Sequence, residues 1–268
     1  MHSNLRRNKF NAVLKRRCSA ISPVISAVIL TSILLVILII AAFVSGNILE
    51  MRVQNTEFEQ AKTNMMLLDE IIEEAGMKQG AGSYVQFNLN SGALSIINGD
   101  DMTISITNMP SFEPITFTTL TFVYRSGGFV SSSNSPLRGE DSPIVNGTGA
   151  PLGYLRIENK DGVAQIKLDY NRVKVINFTD ETGGYNVLQI IFFKVVKAES
   201  RSMGGSGLLR ISAQNKGVQI NSYECAGATE VSVKVKVGSV ETTKTFSFNN
   251  SYPVAVIVVE SVVEVSLS

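Results

Sequence analysis

One stretch constrains this chain more than any other: Ile21 to Ser45 holds 25 consecutive residues without a charge, most of them aliphatic. As a helix rising about 1.5 Å per residue it reaches roughly 37 Å, enough to cross a bilayer core of about 30 Å with some tilt. The run is longer than the ~7–15 residues of a secretory h-region, and it stays apolar to its end, so a cleaved secretory signal is the weaker reading. Charge around it is lopsided. Arg6, Arg7, Lys9, Lys15, Arg16 and Arg17 precede it with no acid, Cys18 to Leu49 carries no charge, and Glu50, Glu57, Glu59, Asp69, Glu70, Glu73 and Glu74 follow. Basic residues before an apolar span place the N-terminus in the cytoplasm and the remainder outside.

The helical pattern continues past Gly46. Phe58, Ala61, Met65, Leu68, Ile72 and Ala75 recur at spacings of three and four, widened by Leu67 and Ile71. This is the seam of an amphipathic helix seeking an apolar partner on one face. Glu57, Glu59, Lys62, Asp69, Glu70 and Glu73 lie off the seam, which predicts a solvated face for them. Gly46 and Asn47 are candidate kink positions, and Gly76 is the expected stop.

From Tyr84 the texture changes to short β-branched or alternating runs, such as "YVQFNL", "ALSII", "ITFTTLTFVY" and "EVSVKVKV", separated by "NSG", "NGDD", "NKDG" and "GGSG". Strands between Gly/Asn/Asp turns predict an antiparallel, sandwich-like head. The cleanest hairpin is "IENKDGVAQIKL", with its turn at Asp161-Gly162. Ser131 to Gly153, rich in Ser, Pro and Gly, reads as a long loop, or alternatively as a boundary between two β subdomains. The fold class is therefore α+β, laid out as a basic leader over 1–20, a membrane-spanning helix over 21–46, its amphipathic continuation over 47–76 and a β-rich head over 84–268.

The chemistry this chain lacks narrows its function. Its one histidine is His2, in the leader, which removes His-based triads and His/Cys zinc sites from the head. Cys18 and Cys225 stand on opposite sides of the apolar run and form no disulfide framework. Asp100-Asp101 and Glu140-Asp141 are acidic pairs in turn-like sequence, read as solvated turns rather than calcium ligands. No phosphate-binding loop is present, and a non-enzymatic chain without cofactor or metal is expected. Three Asn-x-Ser/Thr sequons, at Asn146, Asn177 and Asn249, are candidate glycan acceptors, with Asn146 best placed and Asn177 expected to be partly buried.

The segment "AISPVISAVILTSILLVILIIAAF", behind the basic "KRR", resembles the N-terminus of archaeal type IV pilins and pilin-like proteins. The match covers about Lys15 to Phe43: a basic leader, a small residue, an aliphatic residue, Ser-Pro-Val-Ile and an apolar helix. The resemblance implies a class III signal peptide, with Arg16, Arg17, Ala20 and Ile21 forming the prepilin peptidase site and the cut falling between Ala20 and Ile21. Cys18 and Ser19 separate Arg17 from Ala20, a departure from the family pattern, and a cut after Cys18 is the alternative. The resemblance further implies a minor pilin or pseudopilin that packs with other pilin subunits through its N-terminal helix and is handled by pilus assembly machinery, with no nucleic acid involved. A permanently membrane-anchored β-sandwich binding or adhesion protein at the cell surface is the competing expectation.

Overall fold

The computed structural model describes residues 23–107, 109, 111–198, 204–225, 229–248 and 252–268. It separates into two compact units, Met1–Arg52 and Val53–Ser268. Among the described residues, a helix, α1 (Pro23–Met77), is followed by twelve strands and a mostly antiparallel sheet, the α+β architecture expected from the sequence.

α1 is described from Pro23, a residue tolerated in the first turn of a helix because the N–H it lacks has no intrahelical acceptor there. It runs through Gly46 and Asn47 without interruption, so neither breaks the helix. Its end differs from expectation. Gly76 is inside the helix, where a Cβ would come within 2.5 Å of the Phe193 ring, and the left-handed residue after the helix is Gly80 (φ 75°). Gly76 is needed for close approach, not for termination.

In the second unit the strands are β1 (Gly82–Thr107), β2 (Ile115–Arg125), β3 (Ser135–Arg138), β4 (Ile144–Asn146), β5 (Tyr154–Lys160), β6 (Val163–Asp169), β7 (Val173–Asp180), β8 (Tyr185–Lys197), β9 (Gly204–Cys225), β10 (Glu230–Val237), β11 (Val240–Ser247) and β12 (Val254–Leu267). They hydrogen-bond in the order β3-β5-β6-β2-β1-β9-β12-β8-β7-β4, with the β10–β11 hairpin branching from the later part of β1. Among the described strands only β8–β12 and β4–β7 pair in parallel. The β5–β6 hairpin turns on Asp161 (φ 56°) and Gly162 (φ 80°), the two left-handed residues that a tight two-residue turn requires.

Two cores lie on opposite faces of this sheet. Along β8 the even positions Leu188, Ile190 and Phe192 enter one core, while the odd positions Phe193 and Val195 enter the other, as the two-residue period of a strand dictates. The first core gathers β1, β2, β5, β6, β9 and the ends of β8 and β12 around the α1 seam. Phe58, Ala61, Met65, Leu68, Ile72 and Ala75, the six residues read from spacing, are all at most 3% exposed. The second core lies between the later part of β1 with β10–β11 and the earlier parts of β7, β8 and β12. There Phe117 of β2 stacks on Phe192 of β8 at 4.7 Å, joining strands that are not sheet neighbours and giving the head its sandwich-like character.

Several expected turns are not turns. "NSG" and "NGDD" lie inside the 26-residue β1 as irregularities in its pairing, the first between Leu89 and Leu94 against β9 and the second between Asn98 and Asp101 against β2. "GGSG" opens β9. The second irregularity transfers β1 from the first core to the second: Leu94 and Ile96 face α1, yet Met102 and Ile104, of the same parity, face away, because one extra residue reverses the alternation. The segment 131–153 is not a bare loop either, since it contributes β3 and β4, the two terminal strands of the ordered path.

Candidate functional site

Two regions of α1 carry the properties a functional role would use. The first is its apolar half. From Val24 to Val53 the large aliphatic side chains are exposed on every side of the helix, with Val24 and Leu38 at 68% and Phe43 at 71%. The mean hydropathy of its most apolar window is 3.2, and α1 is long and apolar enough to cross a membrane. The hydroxyls within it do not disturb that surface. Thr31 Oγ1 donates to the carbonyl of Ala27 at 3.0 Å, and Ser32 Oγ to that of Val28 at 2.8 Å. Polar atoms satisfied within their own helix are compatible with an apolar surrounding.

The second region is the seat of α1 in the head, where the sequence reading failed for two acids. Glu57 and Asp69 lie off the apolar seam, yet they are 5% and 0% exposed. Glu57 is held by the irregularity in β1. Its carboxylate accepts from the backbone N–H of Asn90 (3.1 Å), Ser91 (2.9 Å) and Gly92 (2.8 Å), from Ser91 Oγ (2.9 Å) and from the Tyr124 hydroxyl (3.3 Å). Burial pushes its pKa up, but the hydrogen bonds from the N–H groups of Gly92 and Ser91, the Ser91 hydroxyl and the Asn90 N–H together outweigh burial and hold it below the ordinary value. Only glycine fits at 92, since a Cβ there would overlap the Tyr124 hydroxyl. One turn earlier, Gln54 Oε1 accepts from Phe129 N at 3.0 Å.

Asp69 is fully buried. Its Oδ1 accepts from the Tyr170 hydroxyl at 2.6 Å, and Oδ2 lies 3.0 Å from Arg138 Nε, paired by charge without an aligned hydrogen bond. Arg138 reaches Glu70 (3.5 Å) and Glu73 (3.3 Å) as well, and Glu73 accepts from Leu152 N at 2.6 Å. Here burial wins: it pushes Asp69 up to about 6 against the opposing Tyr170 bond and Arg138 charge. A third charged group lies in the head, where Asp169 bridges Arg156 and Arg172, and the two guanidiniums lie 4.9 and 4.5 Å from the Tyr154 ring centroid.

The predicted site residues fall in different places. Arg16, Arg17, Ala20 and Ile21, with Cys18 and His2, lie outside the described residues, as does Asn249. Asn146 is exposed on β4. Asn177 is exposed on β7, not partly buried, because it lies in the stretch of β7 beyond its pairing with β4. Of the acidic pairs, Asp101 accepts from Thr118 Oγ1 and belongs to β1, not to a free turn. Among the described residues no group of three or more His, Cys, Asp or Glu is arranged to hold a metal ion. Comparison of the chain with protein-family models, with curated proteins and with solved structures finds no match.

Proposed function

We propose that this chain is a structural subunit, a minor pilin or pseudopilin, of an archaeal type IV pilus-like surface filament or secretion-type assembly, matured by a prepilin peptidase. The observation that carries the reading is the first half of α1: some thirty residues long, apolar on all sides, with every described side chain exposed. Such a surface is unstable in water at roughly 25 cal/mol per Å² and demands an apolar surrounding. Lipid supplies one before assembly, and a bundle of identical helices supplies another after it, so the same sequence serves both states. The Ser-Pro-Val-Ile motif behind a basic leader supports the filament over a permanent anchor. The partners are then other pilin subunits along α1, the prepilin peptidase at Arg16, Arg17, Ala20 and Ile21, and the assembly machinery.

The test is mass spectrometry of the protein from its native membrane, together with the fraction sheared from the cell surface. A mature N-terminus at Ile21, or at Ser19, and recovery in sheared filaments are expected. An intact leader on every molecule, confined to membranes, would establish a permanently anchored cell-surface protein in its place.

A further inference from the structure

Residues 127–153 connect the head to α1 at both ends of its buried half. Near the start, Phe129 N donates to Gln54, Gly127 is so close to Gln54 that a Cβ would overlap it, and Val130 is buried in the core of α1. Near the end, Arg138 spans Asp69, Glu70 and Glu73, and Leu152 N donates to Glu73. From Gln54 to Glu73 is about 29 Å of helix at 1.5 Å per residue. The same segment supplies β3 and β4, the first and last strands of the sheet order, with only Gly139 to Pro143 between them. Five residues reach at most about 20 Å, so the segment brings the two ends of the sheet together beside the helix.

We propose that residues 127–153 form a clasp that holds α1 in the head, and that Asp69 is its protonatable latch, closing the clasp more firmly in acid than at neutrality. This goes beyond the filament reading and does not depend on it.

The latch is walled on every side by named groups. Tyr170, between β6 and β7, donates to Oδ1; Arg138, at the end of β3, faces Oδ2; Glu70 and Glu73 flank Asp69 on its own helix. Lys174 of β7 is buried nearby on the Glu73 side, its Nζ 3.5 Å from the Thr148 carbonyl; burial lowers its pKa and the Glu73 charge acts against that. Gly153 closes the last side, where a Cβ would overlap Asp69 Oδ1. Water therefore reaches Asp69 only when the clasp lifts, and the closed state holds the carboxyl proton up to about pH 6. In water an aspartate loses it near 4. The closed state thus binds the Asp69 proton more tightly than the open one, so the Asp69 contribution to closure is full below about pH 4 and is lost as pH rises through 6. The two values set the full change at on the order of 100-fold in the opening equilibrium. The only histidine is His2, in the leader, so no imidazole in the head titrates over the same range.

Hydrogen exchange of the full chain in detergent micelles tests this, followed by mass spectrometry at pH 5 and 7.5 and corrected for intrinsic exchange. Peptides covering 129–153 should show an opening equilibrium about ten-fold larger at pH 7.5, while those covering β10–β11 show no such rise and serve as reference. In Asp69→Asn the pH dependence of the clasp should vanish. A wild-type clasp that opens equally at both values, or a rise that persists in Asp69→Asn, overturns the proposal. Should Asp69→Asn lose protection in β10–β11 as well, Arg138→Gln decides. With the cation gone, the opening midpoint must move to higher pH, and an unmoved midpoint overturns the latch.

Discussion

Glu57 on α1 and Tyr124 on β2 meet at 3.3 Å, and the backbone of Gly92 lies against both with no room for a side chain. That pair explains why a strand irregularity can sit against a helix. Four residues of β1, 90–93, pass between two ladder partners on β9, and three of their N–H groups would be left without acceptors. A buried carboxylate accepts all three. An anion among converging backbone donors is a favourable arrangement, because each donor offsets part of the desolvation of the charge.

Glu57→Ala should therefore cost more than an ordinary surface change. It leaves the buried Gly92 N–H and the part-buried N–H groups of Asn90 and Ser91 without their acceptor, at about 1–3 kcal/mol. Because the folded carboxyl titrates below its ordinary value, its contribution is present above the unfolded pKa near 4.5 and is lost as pH falls through the folded one. Denaturant melts of wild type and Glu57→Ala should differ at pH 7, and the difference should shrink as pH falls below the unfolded value near 4.5.

Leu68 and Met65, both fully buried at the centre of the α1 seam, are the strongest hydrophobic test. Truncation of either to Ala should destabilise the head by about 2–5 kcal/mol, through lost burial plus the cavity left behind. Leu67, one residue away and 43% exposed, is the control: Leu67→Ala should change stability by well under half as much.

Gly162→Ala probes a different cause. At φ 80° the substitution strains the backbone without touching any neighbour, since nothing lies within 4 Å of a Cβ there. A loss of about 1 kcal/mol is expected from conformation alone. Gly153→Ala should cost more, because its Cβ would displace the Asp69 carboxylate, and the two variants compared by thermal denaturation separate strain from collision.

Leu34 lies in the middle of the apolar half of α1 and is 51% exposed. Leu34→Arg places a charge where the bilayer centre would be, at about 2.5–3.5 kcal/mol on insertion scales. Alkaline extraction should release a larger share of the variant from membranes than of wild type, and a variant retained as firmly as wild type would contradict a spanning helix.

On the proposed filament reading, Arg16→Glu with Arg17→Glu removes the basic flank that would hold a leader inside. The proportion of molecules with a mature N-terminus, read by mass spectrometry, should fall. Unchanged maturation would count against the processing site assigned to Arg16, Arg17, Ala20 and Ile21.

Much of the fold was legible because it is written in local periodicity. The six seam residues of α1 were found from spacings of three and four, and the β5–β6 hairpin from Asp-Gly, whose backbone preference is intrinsic. The buried acids were not legible. Glu57 and Asp69 occupy helix positions that periodicity assigns to solvent, and their burial depends on groups 33 to 101 residues away in the chain, Asn90 to Gly92 and Tyr170. A sequence signal did exist for one of them. "NSG" offers a run of unhindered N–H donors, which read as a turn because turns and anion-binding irregularities draw on the same residues.

The sequence by itself determined that a charge-free helix of bilayer length precedes a β-rich head, because charge, hydropathy and strand alternation act within a few residues of one another. It also determined which face of α1 would seek a partner. Only the tertiary structure decided what that partner is, that β1 continues through two apparent turns, and that residues 131–153 supply the terminal strands of the sheet and hold the helix through Arg138 and Leu152. Those outcomes depend on satisfying buried donors and charges, and the acceptors come from segments the chain brings together only after it has folded.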